Sequence, residues 1–311
     1  MRSFVLQPMQ QKSKTVIIIG GPTASGKTGL AIQLAQRLGT EIISADSRQC
    51  YTEMNIGVAR PSPEELAAVK QYFIASHSIH QKVNAATFEA YALEKANHLF
   101  RTHNTVVMVG GTGLYLKAFT DGMDAIPEVP EAIRNSIIED YNKLGLEWLQ
   151  QQVAEADPQF YATGEIKNPH RLMRALEVYR ATGKSILTFR KGSKAERPFR
   201  IIKIALQLPK EQLHNNINRR VDKMMNVGLL DEVKSLLPYR HLGPLQTVGY
   251  TELFDYLEGT KTLHAAVEDI KKNTRQYAKR QLTWFRKDKD FIWFDAGAIE
   301  PVWEFVQQQN V

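Results

Sequence analysis

The chain has 311 residues, of which 43% are hydrophobic and 23% charged, which is enough for one large packed domain or two small ones. Its single cysteine, Cys50, excludes an internal disulfide and a cysteine-rich zinc site. The first fourteen residues lack the apolar stretch of a signal peptide, and no apolar run reaches the ~20 residues of a membrane helix, so we expect a cytoplasmic protein.

Five short apolar runs predict buried strands at 15–20, 41–45, 105–110, 200–208 and 291–296. Helical patterns separate most of them, the clearest covering 27–38 and 85–101. Strands that alternate with helices are typical of an α/β fold with a parallel sheet.

The spacing changes between the third and the fourth run, which lie much further apart than one crossover requires. The intervening sequence is mainly helical, and one of its helices is bounded by Asn168 as a predicted N-cap and Gly183 as a predicted C-cap. We therefore predict a helical insertion at 125–198 within an α/β core made of 1–124 and 199–311.

Residues 20–30 read GGPTASGKTGL and follow the first predicted strand. They fit G-x-x-x-x-G-K-[ST], in which glycines let backbone N–H groups surround phosphate oxygens at a helix N-terminus. Lys27 can reach the outer phosphate, and Thr28 is placed to bind Mg²⁺. The predicted phosphate-binding residues are Gly21, Pro22, Thr23, Ala24, Ser25, Gly26, Lys27 and Thr28. The loop alone indicates a diphosphate or a longer phosphate chain, and an ATP-dependent kinase satisfies it.

Two other segments follow predicted strands and should meet this loop, because ligands of open parallel sheets bind at the carboxyl ends of strands. Asp46 follows the second strand and could support a magnesium ion, act as a general base, or simply open a turn. After the third strand, three glycines surround Thr112, which favours a second phosphate contact over a plain turn. No aspartate closes this third apolar run, which weakens the ATPase interpretation.

The net charge of +7 is equalled by one segment, residues 271–289, which holds eight basic residues and one acidic residue. Its basic residues are interleaved with Tyr277, Trp284 and Phe285, and this favours a polyanionic partner such as a nucleic acid over a solvated helix face. A helical stripe predicts that the helix packs on the core and turns its basic side chains outward, with Trp284 and Phe285 in the core rather than stacked on bases. That stripe consists of Leu263, Val267, Ile270, Thr274, Tyr277 and Gln281.

Seven motifs occur in order along residues 17–295: GPTASGKT (21–28), DSRQCY (46–51), VGGTGLYLKAF (109–119), NPHRLMRALEVYRATGKS (168–185), RVDKMMNVGLLDEV (220–233), VGYTEL (248–253) and NTRQYAKRQLTWFR (273–286). Together they resemble the tRNA dimethylallyltransferase family, in its compact bacterial form because the chain lacks the cysteine pair of a zinc finger. In DSRQCY, Cys50 stands where relatives more often have an aliphatic residue, and we expect it to be a small buried side chain.

The resemblance implies a P-loop, kinase-like parallel sheet flanked by helices, with a mainly helical insertion that contacts the tRNA anticodon stem. It implies transfer of a dimethylallyl group from dimethylallyl diphosphate to the exocyclic N6 amine of the adenosine immediately 3′ of the anticodon, with release of diphosphate. The phosphate loop would then hold a diphosphate and Mg²⁺ instead of ATP. The target base must leave its stack to react. Nothing in the sequence indicates a dimer, and we expect a monomer.

The resemblance also assigns roles to individual residues. Asp46 corresponds to the base, and Lys27, Thr112 and Arg220 would stabilise the leaving diphosphate, with Arg219 as an alternative to Arg220. The residues assigned to tRNA contacts are Asp46, Ser47, Arg48, Gln49, His170, Arg171, Leu172, Met173, Arg174, Gln246, Thr247, Val248, Gly249, Tyr250, Thr251, Lys279, Arg280, Gln281, Leu282, Thr283, Trp284, Phe285 and Arg286.

Three other functions are compatible with parts of the sequence. A P-loop kinase of a small metabolite would use ATP and need no RNA. A prenyltransferase acting on free adenine nucleotides would make cytokinins, but such proteins lack so long an insertion. A non-catalytic RNA-binding protein is disfavoured by the intact set Lys27, Thr28, Asp46 and Thr112.

Overall fold

The computed structural model describes residues 13–310, and within them the α/β core contains one sheet of six parallel strands. The strand order is β3-β2-β4-β1-β5-β6. The strands are β1 (Thr15–Gly20), β2 (Ile42–Ser44), β3 (Gln71–Tyr72), β4 (Thr105–Val109), β5 (Arg200–Gln207) and β6 (Phe291–Asp295). The predicted parallel α/β fold and its five strands are confirmed, whereas β3 is too short to give a sequence pattern.

Helices follow most of the strands, and none in the described range is both long and apolar enough to cross a membrane. In chain order they are α1 (Lys27–Leu38), α2 (Pro63–Ala68), α3 (Ala85–Leu99), α4 (Gly113–Asp121), α5 (Glu131–Ala156), α6 (Pro158–Thr163), α7 (Pro169–Thr182), α8 (Lys210–Asn226), α9 (Leu229–Leu236), α10 (Thr251–Leu257), α11 (Leu263–Lys287) and α12 (Ile299–Gln308).

Strand β1 is the centre of the core, since all six of its residues are buried. Val16 and Ile18 belong to the larger hydrophobic cluster, and Ile17 and Ile19 belong to a second cluster that includes residues of α1 and α12. A strand buried on both faces needs an unbroken apolar run, which is what TVIIIG supplies.

The strand order explains where the site forms. The chain leaves β1, forms β2 away from it, and returns to place β4 between the two. The loops that follow β1, β2 and β4 therefore come out at the same edge of the sheet, which is the usual ligand-binding edge of an open parallel sheet.

Residues Asp121–Ala195 form a second compact unit, separate from the unit that contains the sheet. Asn168 caps α7 by accepting a hydrogen bond from the Arg171 backbone N–H, and Gly183 ends that helix with a left-handed φ of 69°, as predicted. The buried core of this unit comprises Ile137, Leu149, Val153, Phe160, Leu172, Met173, Ala175, Leu176, Val178 and Ile186.

Helix α11 presents a buried face that the predicted stripe described only in part. Ile270 and Gln281 lie on it as predicted, and Phe285 is fully buried in the core. Tyr277 is 38% exposed, so its placement on the packed stripe was wrong; Ala278 is the buried residue at that turn. Trp284 is partly buried against the same core.

Replacing Gly20 tests the packing of α11 against the end of β1. A Cβ at Gly20 would lie 2.5 Å from the ring of Phe285, so Gly20→Ala should lower the free energy of unfolding by about 1–3 kcal/mol. Gly29→Ala in α1 is the matched control, because nothing lies within 4 Å of its Cβ position, and it should raise stability by about 0.5–1 kcal/mol. Urea denaturation measures both, and a Gly20→Ala protein as stable as wild type would contradict this packing.

Candidate active site

The phosphate loop joins β1 to α1 in a backbone conformation that needs glycine. Gly21 and Gly26 have φ values of 131° and 84°, and a Cβ at Gly21 would lie 2.9 Å from the carbonyl oxygen of Leu206. Helix α1 begins at Lys27, so its unpaired N-terminal N–H groups border the loop. The Ser25 hydroxyl is buried and has no hydrogen-bond partner among residues 13–310. These polar groups form a cradle suited to an anion.

Two basic side chains interact within this cradle. Lys27 donates a hydrogen bond to the carbonyl of Pro22. Burial and then the positive charge of Arg220 lower the pKa of Lys27 to about 7, while Asp46 acts in the opposite direction. Burial also lowers the pKa of Arg220, again opposed by Asp46. Both cations are therefore partly desolvated, and an anion bound here would favour their charged forms.

The structure distinguishes Arg220 from its neighbour, which the sequence left open. Arg219 is exposed and donates a hydrogen bond to Asn216 on the same helix, at 2.7 Å. Arg220 is the one that interacts electrostatically with Lys27 and Asp46.

Asp46 lies just beyond β2, with one carboxylate oxygen fixed by the backbone. Oδ1 accepts hydrogen bonds from the N–H groups of Arg48 at 2.8 Å and Gln49 at 3.2 Å. Oδ2 has no hydrogen-bond partner in the described part of the chain. The side chain is thus oriented through one oxygen and keeps the other free to accept a proton or a hydrogen bond.

The loop between β4 and α4 touches the Asp46 segment directly. The hydroxyl of Thr112 accepts a hydrogen bond from the Ser47 N–H at 3.1 Å, and the Thr112 N–H donates to the carbonyl of Ala45 at 3.3 Å. A Cβ at Gly110 would overlap that same carbonyl. The predicted convergence of Lys27, Asp46 and Thr112 at one edge of the sheet is what the structure shows.

One face of α11 closes over these loops. Gln281 donates to the carbonyl of Gly111 at 2.9 Å and accepts from the N–H of Thr23 at 2.8 Å. The indole of Trp284 occupies the space where a Cβ of Gly113 would lie. Although Tyr277 as a whole is 38% exposed, its hydroxyl interacts with Thr112 at the inner end of the side chain, where burial, followed by the nearby Asp46, raises its pKa to about 12.

Sequence reasoning missed Glu232 and the loop that it stabilises. Its carboxylate accepts hydrogen bonds from the N–H groups of three successive residues, at 2.7–3.1 Å, and from the Tyr250 hydroxyl at 2.6 Å. Those three residues are Asn55, Ile56 and Gly57, in the segment that follows Asp46. A partner 175 residues away gives no local sequence signal, although the DEV that contains Glu232 lies within a quoted motif.

The residues assigned to tRNA contacts differ in how accessible they are. Cys50, which lies beside them in DSRQCY, is buried as predicted. In the sheet unit, Gln246, Lys279, Arg280 and Arg286 are exposed, whereas Tyr250, Gln281 and Phe285 have buried side chains. The side chains of the three buried residues present little surface to an RNA, so they would act by positioning exposed neighbours.

The same contrast holds within the helical unit. His170 and Arg171 are exposed on α7, while Leu172 and Met173 pack in its core. Arg174 is held by an ion pair of 3.1 Å to the buried carboxylate of Glu177.

Comparison with known proteins places this arrangement in a family. The family model described as IPP transferase matches residues 49–288. A tRNA dimethylallyltransferase of Cytophaga hutchinsonii is 43% identical over 295 residues, which cover 95% of this chain and 97% of that protein. This chain belongs to the IPP transferase family.

Solved structures of relatives agree with the family assignment. The tRNA isopentenylpyrophosphate transferase of Bacillus halodurans is 34% identical, with a TM-score of 0.70 over 95% of this chain and 96% of that one. A eukaryotic dimethylallyltransferase solved acting on tRNA is 25% identical, with a TM-score of 0.75 over 96% of this chain and 77% of that one. The IPP transferase sheet and helical unit are thus shared along nearly the whole chain.

The lowered pKa of Lys27 predicts a pH-dependent cost to stability. Below pH 7, Lys27 is charged in both the folded and the unfolded chain, and the folded state bears the full free-energy cost of burying that charge beside Arg220. Between about 7 and its ordinary value of 10.5, the folded state binds fewer protons, so stability rises with pH. The gain in unfolding free energy on Lys27→Met should therefore be largest at pH 6 and smaller at pH 9, as measured by urea denaturation. An equal gain at both pH values would contradict the lowered pKa.

Proposed function

We propose that this protein transfers a dimethylallyl group from dimethylallyl diphosphate to the exocyclic N6 amine of the adenosine immediately 3′ of the anticodon in tRNA. The observation that supports it is that a partly buried cation of the phosphate loop, Lys27, interacts with a second cation on α8, Arg220, and with Asp46, which keeps one carboxylate oxygen free. The names of the relatives supply the acceptor, tRNA, and the group transferred.

The diphosphate is the leaving group of this reaction. As the C1–O bond of the prenyl donor breaks, negative charge grows on the diphosphate oxygens. Lys27, Arg220 and the loop N–H groups would stabilise that charge, and Thr112 would add a hydroxyl donor. The loop N–H groups are in place before the substrate binds, whereas the Thr112 hydroxyl, which donates to the Ser47 hydroxyl, would have to turn toward the diphosphate.

The acceptor amine requires help of a different kind. Its lone pair is delocalised into the purine ring, so it is a weak nucleophile until a proton is removed. As the N6–C1 bond forms, the proton would pass to the free Oδ2 of Asp46, while Oδ1 stays bound to the backbone of Arg48 and Gln49. Asp46 therefore both orients the amine and accepts its proton.

Mg²⁺ fits the donor groups present. No cluster of three or more His, Cys, Asp or Glu side chains suited to a metal occurs in residues 13–310, so a caged metal site is not what this part of the chain offers. Mg²⁺ characteristically takes one or two protein ligands and completes its shell with substrate phosphates and water. Thr28, at the second position of α1, would be that protein ligand. The ion would neutralise charge on the diphosphate.

The RNA would bind along exposed basic surfaces and deliver one base into the site. Lys279, Arg280 and Arg286 on α11, and His170 and Arg171 on α7, are the accessible residues of the assigned set. The adenine must leave its stack to reach Asp46. We propose that the protein acts as a monomer in the cytoplasm, where tRNA is found.

Transfer of radiolabel from dimethylallyl diphosphate to tRNA tests the proposed activity. With Mg²⁺ and unmodified tRNA, the wild-type protein should label the tRNA, and nucleoside mass spectrometry should place the group on the adenosine next to the anticodon. Label on AMP instead would favour synthesis of free cytokinins.

Asp46→Asn keeps the side-chain shape and should slow transfer by roughly 10²–10⁴-fold without loss of tRNA binding. Normal turnover in this variant would exclude Asp46 as the base.

The adjacent arginines provide a matched pair of variants. Arg220→Gln removes a cation beside Lys27 and should reduce the transfer rate by roughly 10²–10³-fold. Arg219→Gln removes an exposed side chain from the next position and should stay close to wild type. Single-turnover kinetics with saturating tRNA measures both, and the opposite order of effects would assign the diphosphate contact to Arg219.

A further inference from the structure

Gln281 connects the two loops that surround the expected diphosphate. Its side-chain carbonyl accepts from the N–H of Thr23 in the phosphate loop, at 2.8 Å, and its amide nitrogen donates to the carbonyl of Gly111, at 2.9 Å. Thr23 and Gly111 belong to loops that follow different strands, β1 and β4. One buried amide thus bridges two parts of the cradle 258 and 170 residues away in the chain.

The loop that contains Gly111 packs tightly against Gln281. A Cβ at Gly111 would overlap the Gln281 amide, so the loop approaches α11 as closely as a glycine backbone allows. On the same helix, Phe285 packs on Gly20 and Trp284 packs on Gly113, at the two loop ends that flank the bridge. Helix α11 is therefore fixed against both loops by packing, and Gln281 supplies the polar link between them.

The polar groups of the Gln281 side chain already have hydrogen-bond partners within the protein. Its side chain is buried, and the carbonyl and the NH₂ of its amide each have a backbone partner at an ordinary hydrogen-bond distance. Its exposed neighbours Lys279 and Arg280 differ from it in both respects. The side chain is therefore unsuited to contact RNA, although it lies within a basic helix turn.

We infer that Gln281 is a positioning residue for the diphosphate: it sets the separation of the phosphate loop and the 110–113 loop, and through them the affinity for the prenyl donor, without contacting tRNA. The inference rests on the proposed function and refines it. Loss of the bridge would free the Thr23 N–H and the Gly111 carbonyl and let the loops move apart. The cost would appear in diphosphate binding, while the exposed RNA-binding surface would stay unchanged.

Isothermal titration of Mg²⁺ and inorganic diphosphate into wild type, Gln281→Met and Gln281→Glu tests this inference. Gln281→Met removes both hydrogen bonds, and Gln281→Glu keeps an acceptor for Thr23 but loses the donor to Gly111. Both variants should bind diphosphate about tenfold or more weakly, because the two loops would no longer be held at this separation and would have to be ordered again when the ligand binds. The KM for dimethylallyl diphosphate should rise by a similar factor, with the KM for tRNA unchanged.

Lys279→Gln is the matched control, since it lies two residues away on the exposed side of α11. It should weaken tRNA binding and leave diphosphate binding unaltered, the reverse of the Gln281 variants. Thermal unfolding of each variant identifies the fraction that is folded. Folded Gln281 variants that keep wild-type diphosphate affinity, or that lose only tRNA affinity, would overturn the inference. A wild-type protein that fails to bind diphosphate would instead overturn the proposed function on which it rests.

Discussion

The rest of the site depends on the repulsion between two partly buried cations, Lys27 of the phosphate loop and Arg220 of α8. Lys27 and Arg220 repel each other, and burial lowers the pKa of both. Only the single carboxylate of Asp46 offsets Lys27 among the charges that act on it. A multiply charged anion bound between the two side chains would offset their repulsion and favour the charged form of both.

The fold stabilises this arrangement through close contacts that backbone groups make with other backbone groups and with buried side chains. Gly110 and Gly111 let the loop after β4 approach Ala45 on one side and Gln281 on the other. Glu232 fixes the segment after Asp46 by binding three consecutive N–H groups. Contacts between residues far apart in the chain therefore fix the loops around the phosphate loop.

The sequence predicts those features of the fold and the site that depend on residues close together in the chain. Apolar runs in the sequence predict strands β1, β2, β4, β5 and β6, since a strand buried on both faces needs such a run. The phosphate loop is similarly local, because its spacing and its place between strand and helix carry the chemistry. The same is true of the caps Asn168 and Gly183 on α7.

Features that depend on partners distant in the chain could not be read in this way. The periodicity of α11 placed Tyr277 on the packed face, but the helix rotates so that Ala278 is buried and the tyrosine ring is partly exposed beside Thr112. The different surroundings of Arg219 and Arg220 depend on which face of α8 packs inward, and two adjacent arginines give no local signal of that. Neither Glu232 nor the bridging role of Gln281 leaves a local pattern, since both act on backbone groups more than a hundred residues away.

In the proposed reaction, the phosphate loop holds the diphosphate of a prenyl donor, and Asp46 faces the carbon to be transferred. A crystal structure with Mg²⁺ and an unreactive thio analogue of dimethylallyl diphosphate tests it most directly. We expect diphosphate oxygens about 3 Å from Lys27 Nζ and from the Arg220 guanidinium, with the prenyl C1 directed toward Asp46 Oδ2. A diphosphate bound outside the loop, or a prenyl chain directed away from Asp46, would contradict it.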